Sequence, residues 1–157
     1  MSLVFGEVGP PSRSVTFESL QRPHDDELTL LLVRIDAEGL CAESSIETLG
    51  GDGGIDLDSE RPTKSGSTSE GAALSSFLES LASGPLWAGQ RRWGSLGNEL
   101  VVAVSVDALG HVTLEFTLAP QPWRPTWTAT CTTSLTLGDL QSAARDLRNW
   151  VMEAIGA

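Results

Sequence analysis

Apolar and polar positions alternate most regularly between Asn98 and Leu118. Leu100, Val102, Val104 and Val106 recur at every second position, and Val112, Leu114, Phe116 and Leu118 alternate with His111, Thr113, Glu115 and Thr117. Period two gives each arm one buried face, so the stretch predicts a β-hairpin. Between the arms, Asp107-Ala-Leu-Gly110 sets an Asp where its carboxylate can accept backbone N–H groups and a Gly where φ must be positive. A second hairpin is predicted from Glu27 to Thr48. Its first arm carries Leu28, Leu30, Leu31, Leu32, Val33 and Ile35, which leaves little polar face and predicts a central strand covered on both sides. In the second arm Leu40, Ala42 and Ile46 alternate with Cys41, Glu43 and Glu47. The turn, Asp36-Ala-Glu-Gly39, repeats the Asp-x-x-Gly spacing; shared turn chemistry explains the repeat, with internal duplication as the alternative.

Helical spacing follows. Ser67 and Glu70 fit a capping box and predict a helix carrying Leu74, Phe77, Leu78 and Leu81, stopped by Gly84-Pro85. Trp127 to Leu137 predicts a strand with Trp127, Ala129, Cys131, Leu135 and Leu137 on one face. Thr136 to Asp139 offers a second box, and Leu140, Ala143, Ala144, Leu147, Val151 and Ile155 predict a closing amphipathic helix. Four stretches have weaker patterns. Residues 1–12 predict an extended arm, Ser14 to Leu20 a short edge strand, and Leu86 to Gly97 a connection. Residues 49–66, with Gly50-Gly-Asp-Gly-Gly54, predict a mobile loop pinned by Ile55 and Leu57. The elements amount to a single α+β domain over residues 1–157. The expected architecture is an antiparallel sheet of about five to six strands (hairpin, helix, three-stranded meander, helix) with two helices packed on one face.

Charge narrows the partners. Ten Lys and Arg stand against 21 Asp and Glu, a net charge of −11. Residues 1–66 carry 13 acids and 5 bases and residues 67–157 carry 8 and 5, so the first part holds −8 and the second −3. Such a field repels phosphate backbones, so no nucleic-acid partner is expected, and a protein partner, if charge-led, would be basic. No stretch has the roughly 20 apolar residues needed to cross a bilayer, nor the basic lead of a secretory signal, so no membrane association is expected and the chain is expected to be cytoplasmic. Cys41 and Cys131 lie outside any metal-ligand spacing and are read as buried thiols, with a disulfide or reactive thiol as alternatives.

Candidate chemistry is sparse. His111 has Glu115 on its own face, but strand residues four apart lie roughly 13 Å apart and do not touch, so an exposed turn histidine is expected. His24-Asp25-Asp26 lacks a third ligand, and Asp52, Asp56, Asp58 and Glu60 do not follow the spacing of a calcium loop. Gly50 to Gly54 has neither the lysine nor the helix cap of a phosphate loop. No catalytic residue, metal site or cofactor is therefore expected. What remains is Trp87, Arg91, Arg92, Trp93, Trp123, Arg124 and Trp127, with Trp150 further on: five Trp in a chain without Tyr. These residues either converge into a partner or ligand patch or plug the open end of the core.

Trp87-Ala-Gly-Gln-Arg-Arg-Trp93-Gly-Ser-Leu-Gly-Asn-Glu-Leu100, Gly110-His-Val-Thr-Leu114, Trp127 and the Leu-Gly-Asp-Leu140 helix resemble an uncharacterised family of small actinobacterial cytosolic proteins over roughly residues 74 to 155. The resemblance implies a fold and no activity, and it brings no functional residues. Size, charge and layout are also similar, more loosely, to small acidic immunity proteins that neutralise bacterial toxins. Three functional classes are open: an interaction module, with immunity-like sequestration of a basic partner as one form; a small-molecule binder using the Trp and Arg group; and an enzyme of unidentified class. Ser14 to Leu20 or Trp127 to Leu137 can also leave a free sheet edge through which a homodimer would pair.

Overall fold

The computed structural model describes residues 2–7, 13–21, 28–58, 72–83, 89–120, 123 and 127–156. It is mostly sheet. Strands β1 (Leu3–Glu7), β2 (Arg13–Gln21), β3 (Leu28–Ala37), β4 (Leu40–Leu49), β5 (Gly53–Asp56) and β6 (Ala72–Ala73) precede helix α1 (Leu74–Ser83). Strands β7 (Gln90–Gly94), β8 (Leu100–Val106), β9 (His111–Leu118) and β10 (Ala129–Thr136) then lead into α2 (Leu137–Gly156). Nine strands form one open antiparallel path, β1-β2-β3-β4-β5-β7-β8-β9-β10, and the two-residue β6 adds to β5. The expected α+β sheet of five to six strands, built as hairpin, helix, meander and helix, is thus replaced by a longer sheet running from one end of the described chain to the other.

The difference lies in strands whose inward face is one or two side chains, too few for a period to register. β1 falls inside the stretch expected as an arm, yet it pairs with β2 from Leu3↔Phe17 to Glu7↔Arg13. Phe5 holds it down: the side chain is buried and its ring meets Phe17 edge-on at 5.5 Å and Phe116 at 5.4 Å, a burial that contributes about 1.5–3 kcal/mol. β7 shows only Trp93 to the interior among three exposed polar residues, Gln90, Arg91 and Arg92.

β5 was hidden by its glycines. They read as loop, but here they permit close approach. A Cβ on Gly54 would stand 2.4 Å from Trp93 Cζ2 and 2.2 Å from the Gly94 carbonyl oxygen, and one on Gly53 would stand 2.4 Å from the Leu49 carbonyl oxygen. Ile55 and Asp56 then pair with Gly94 and Trp93, which joins the two halves of the sheet. Residues 59–66 of the expected loop lie outside the described residues.

The two hairpins are present, β3 with β4 and β8 with β9. Their turns differ, which argues against duplication. In Asp107–Gly110 the Asp107 carboxylate accepts the Leu109 N–H at 2.9 Å and its carbonyl accepts the Gly110 N–H at 3.1 Å. The first turn is instead a two-residue connection between the paired Ala37 and Leu40, with positive φ at both Glu38 (51°) and Gly39 (87°).

Both helices are capped, one locally and one from far away. At α2 the Thr136 hydroxyl accepts the Asp139 N–H at 3.1 Å while the Asp139 carboxylate accepts the Thr136 N–H at 3.4 Å, the expected reciprocal box. The other helix starts at Leu74, and Ser67 and Glu70 lie outside the described residues. Its cap is Asp52, whose carbonyl accepts the Leu74 N–H at 2.8 Å and whose buried carboxylate accepts the Ser75 N–H at 2.9 Å. The preceding turn is itself fixed by a buried relay. The Gly51 N–H donates to Thr29 Oγ1, that hydroxyl lies 2.6 Å from Thr48 Oγ1, and Thr48 Oγ1 donates to the Gly51 carbonyl at 2.9 Å.

The open sheet bends so that β10 approaches β2 and β3 while β4 approaches β9. The core lies within the bend, with Val15, Val33, Ile46, Val102, Leu114 and Leu118 fully buried. α2 packs on β1, β2, β9 and β10, and α1 packs on α2, where Arg148 and Glu79 form an ion pair. Trp150 stands 6.2 Å from Phe17, centroid to centroid, and closes this side of the core. Among the described residues, no helix is long and apolar enough to cross a membrane.

Candidate functional site

The Trp and Arg residues singled out from the sequence do not share one surface. Strand alternation on β7 turns Trp93 inward, where it is fully buried against Gly54, and sends Arg92 to the other face. Arg92 there meets Asp58. Its Nη2 donates to Asp58 Oδ1 at 3.1 Å and its backbone N–H donates to Oδ2 at 2.7 Å, while the Leu57 N–H donates to the Arg92 carbonyl at 2.9 Å. The Arg92 side-chain hydrogen bond is the main cause holding the Asp58 carboxyl below its ordinary value, against partial burial. Arg91 is exposed. Trp123 is 75 % exposed and Trp127 38 % exposed, and Trp127 precedes β10, three strands from β7 or about 14 Å across the sheet. Trp87 and Arg124 lie outside the described residues.

The acidic run divides in the same way. Asp52 caps α1, Asp56 accepts the Asp58 N–H at 3.1 Å, Asp58 clamps β7, and Glu60 lies outside the described residues. His24, Asp25 and Asp26 also lie outside them. His111 is exposed and its Nδ1 sits 2.9 Å from Asp107 Oδ2, so its partner is the turn aspartate rather than Glu115. The Asp107 carboxyl is lowered, chiefly by the His111 backbone N–H. This dyad belongs to the turn. Among the described residues, no three His, Cys, Asp or Glu side chains are grouped to hold a metal ion.

Two concave places stand out among the described residues. A cleft of about 610 Å³ separates the edges of β1 and β10 beneath the first turns of α2, lined by Phe5, Arg13, Thr132, Thr133, Leu135 and Asp139 among others. Its charged groups are engaged: Arg13 Nη2 lies 2.6 Å from Glu38 Oε1, and Asp139 is the α2 cap. The second is a groove of about 560 Å³ between the β3–β4 hairpin end and the start of β10. Ile35, Ala37, Ala42 and Ala129 contribute apolar lining, Leu40 and Trp127 wall it, and Glu43 and Thr130 are polar members. Leu40 is 78 % exposed. It sits on the inward face of β4 by alternation, yet beyond the end of the packed core, so among the described residues none covers it. Period two therefore assigns Leu40 to the interior, and only the curvature of the sheet shows otherwise.

Cys41, expected as a buried thiol, is instead exposed and lines the groove. Its thiol is pushed above its ordinary value, first by partial desolvation and then by the neighbouring Asp36 carboxylate, so it stays protonated at neutral pH. Cys131, by contrast, is buried within the bend. The groove thus offers an aromatic ring, an aliphatic side chain, hydroxyls, a thiol and a carboxylate.

The chain belongs to a family of unknown function: the model of the Family of unknown function (DUF6228) matches residues 7–154. No curated protein and no solved structure matches it.

Proposed function

From membership of a family without an assigned activity, we propose that the chain is a non-catalytic interaction module that docks another protein at the Leu40–Trp127 groove. One observation carries the reading: two large apolar side chains, 78 % and 38 % exposed, face a concave apolar lining that the described residues leave uncovered. Aromatic and aliphatic anchors set in such a depression are the usual centre of a protein contact. Immunity-like sequestration of a toxin is one form of this activity. A small-molecule reading draws on the same groove, because its volume of about 560 Å³ falls within the roughly 300–1,000 Å³ of ligand sites. The Trp and Arg version of that reading is weakened by the inward turn of Trp93 and the engagement of Arg92.

The test is affinity capture from extracts of the source cells with the wild-type chain, Leu40→Ser, Trp127→Ala, and a control substitution on the exposed face of α2, Glu153→Gln. A protein retained by wild type and control and lost from both groove variants supports docking. Capture that ignores both groove substitutions removes the groove from the account.

A further inference from the structure

The charges around the groove define its partner more narrowly. Arg34 Nη1 lies 2.7 Å from Glu18 Oε1 and its Nε 3.0 Å from Asp36 Oδ2, so one arginine serves two carboxylates. Arg13 is held by Glu38 at 2.6 Å. Among the described residues these two arginines are therefore committed, whereas Glu43, in the groove lining and exposed, makes no ion pair, although Arg34 is its cross-strand neighbour. Further along the outward face of β4, Glu47 is also exposed. On a chain of net charge −11, the Glu43 carboxylate biases the groove mouth toward cations, and the apolar walls favour a side chain that leaves water.

We propose that the groove accepts a cationic polypeptide segment bearing one large apolar anchor, the anchor seated between Leu40 and Trp127 and a Lys or Arg beside it facing Glu43. This inference rests on the docking reading above and adds the partner's chemistry. An Arg flanking the anchor suits the site best, because its planar group can pair with the Glu43 carboxylate and lie on an indole face. Acidic segments meet the opposite: the chain's net field repels them, and among the described residues Arg13 and Arg34 are already paired.

Three dye-labelled peptides of about ten residues test this by fluorescence anisotropy. The first is rich in Arg and Lys around a Leu-Trp anchor, the second replaces its basic residues with Glu, and the third keeps the charge but replaces the anchor with Ser. The first is expected to bind at least ten-fold more tightly than either of the others, and to weaken as salt rises through the range where the Debye length falls below about 10 Å. Trp127→Ala should weaken the first peptide about 30-fold, the size of an aromatic hot spot, and Glu43→Gln about two- to five-fold with a shallower salt dependence. Thermal unfolding of each variant within a few degrees of wild type excludes misfolding as the cause. Equal binding of the basic and acidic peptides, both lost in Trp127→Ala, overturns the charge inference and leaves the docking reading standing. Absence of binding by all three, or binding unchanged in Trp127→Ala, overturns both.

Discussion

Replacing Gly54 by Ala separates two accounts of the glycine-rich stretch, because one predicts almost no effect and the other a clear loss of stability. If residues 50–54 were a mobile loop, the added methyl would restrict the folded and the unfolded chain alike and leave stability nearly unchanged. In the structure the new Cβ would stand 2.4 Å from Trp93 Cζ2 and 2.2 Å from the Gly94 carbonyl oxygen. Neither neighbour is a flexible tip. Trp93 is fully buried, and Gly94 is paired with both Ile55 and Val101, so relief needs a shift of the indole or separation of β5 from β7. Overpacking of this kind costs about 1–3 kcal/mol. For a chain of this size that corresponds to a fall in Tm of roughly 2–12 °C. Circular dichroism gives the Tm, and tryptophan emission reports any displacement of Trp93. A double-mutant cycle with Trp93→Phe sharpens the test: removing the outer part of the indole should relieve the clash, so the pair costs less than the sum of its members by about 1 kcal/mol or more. A Tm for Gly54→Ala at or above wild type would refute the contact between β5 and Trp93.

Other outcomes follow from individual contacts. Asp52→Ala removes the α1 cap and leaves the buried Ser75 N–H without its acceptor, at about 1–2 kcal/mol; Asp52→Asn should recover most of the loss in urea unfolding, and equal effects would contradict the cap. Asp58 has a folded pKa below its unfolded one, so its contribution to stability is present above the ordinary carboxylate value and is lost as pH falls through the folded value. Arg92→Met should therefore lower stability at neutral pH and flatten its dependence on pH below about 4, as read from urea midpoints across the acid range; an unchanged pH profile would dissociate Asp58 from Arg92. Glu38→Asn suits a turn whose φ is 51° and should raise stability by about 0.5–1 kcal/mol, whereas a lowered Tm would show that the Arg13 contact outweighs the backbone.

Legibility from the sequence followed the number of inward side chains. β8 and β9 bury Leu100, Val102, Val104, Val112, Leu114, Phe116 and Leu118, and β3 adds Leu31, Val33 and Ile35; such runs make period two unmistakable. β1, β5 and β7 rest on Phe5, on two glycines and on Trp93. Their pairing is decided by what lies opposite them, information that sits tens of residues away. The same distance hid the cap of α1, since a capping box is a local pattern and Asp52 acts from 22 positions before Leu74. Of the groove, Trp127 was singled out for its residue type. Leu40 and Glu43 were visible only as members of an alternation, because their exposure depends on where the bend of the sheet ends.

The charge count has to be read through the fold as well. Residues 1–66 carry −8, which by itself suggests a continuous surface for a basic partner. Several of those carboxylates are structural, however. Asp52 is buried as a cap, Asp58 clamps β7 through Arg92, Asp36 and Glu18 share Arg34, and Glu38 holds Arg13. Paired charges at the surface largely cancel beyond a Debye length, so the field a partner meets comes from acids left over. Among the described residues of β4 these are Glu43 and Glu47 on its outward face. Of the two, Glu43 lines the groove walled by the exposed Leu40 and Trp127. Fold-level pairing thus turns a diffuse acidity into a local one, and it is that coincidence of unpaired acid with uncovered apolar surface, rather than net charge, that directs a cationic, apolar-anchored segment to this end of the sheet.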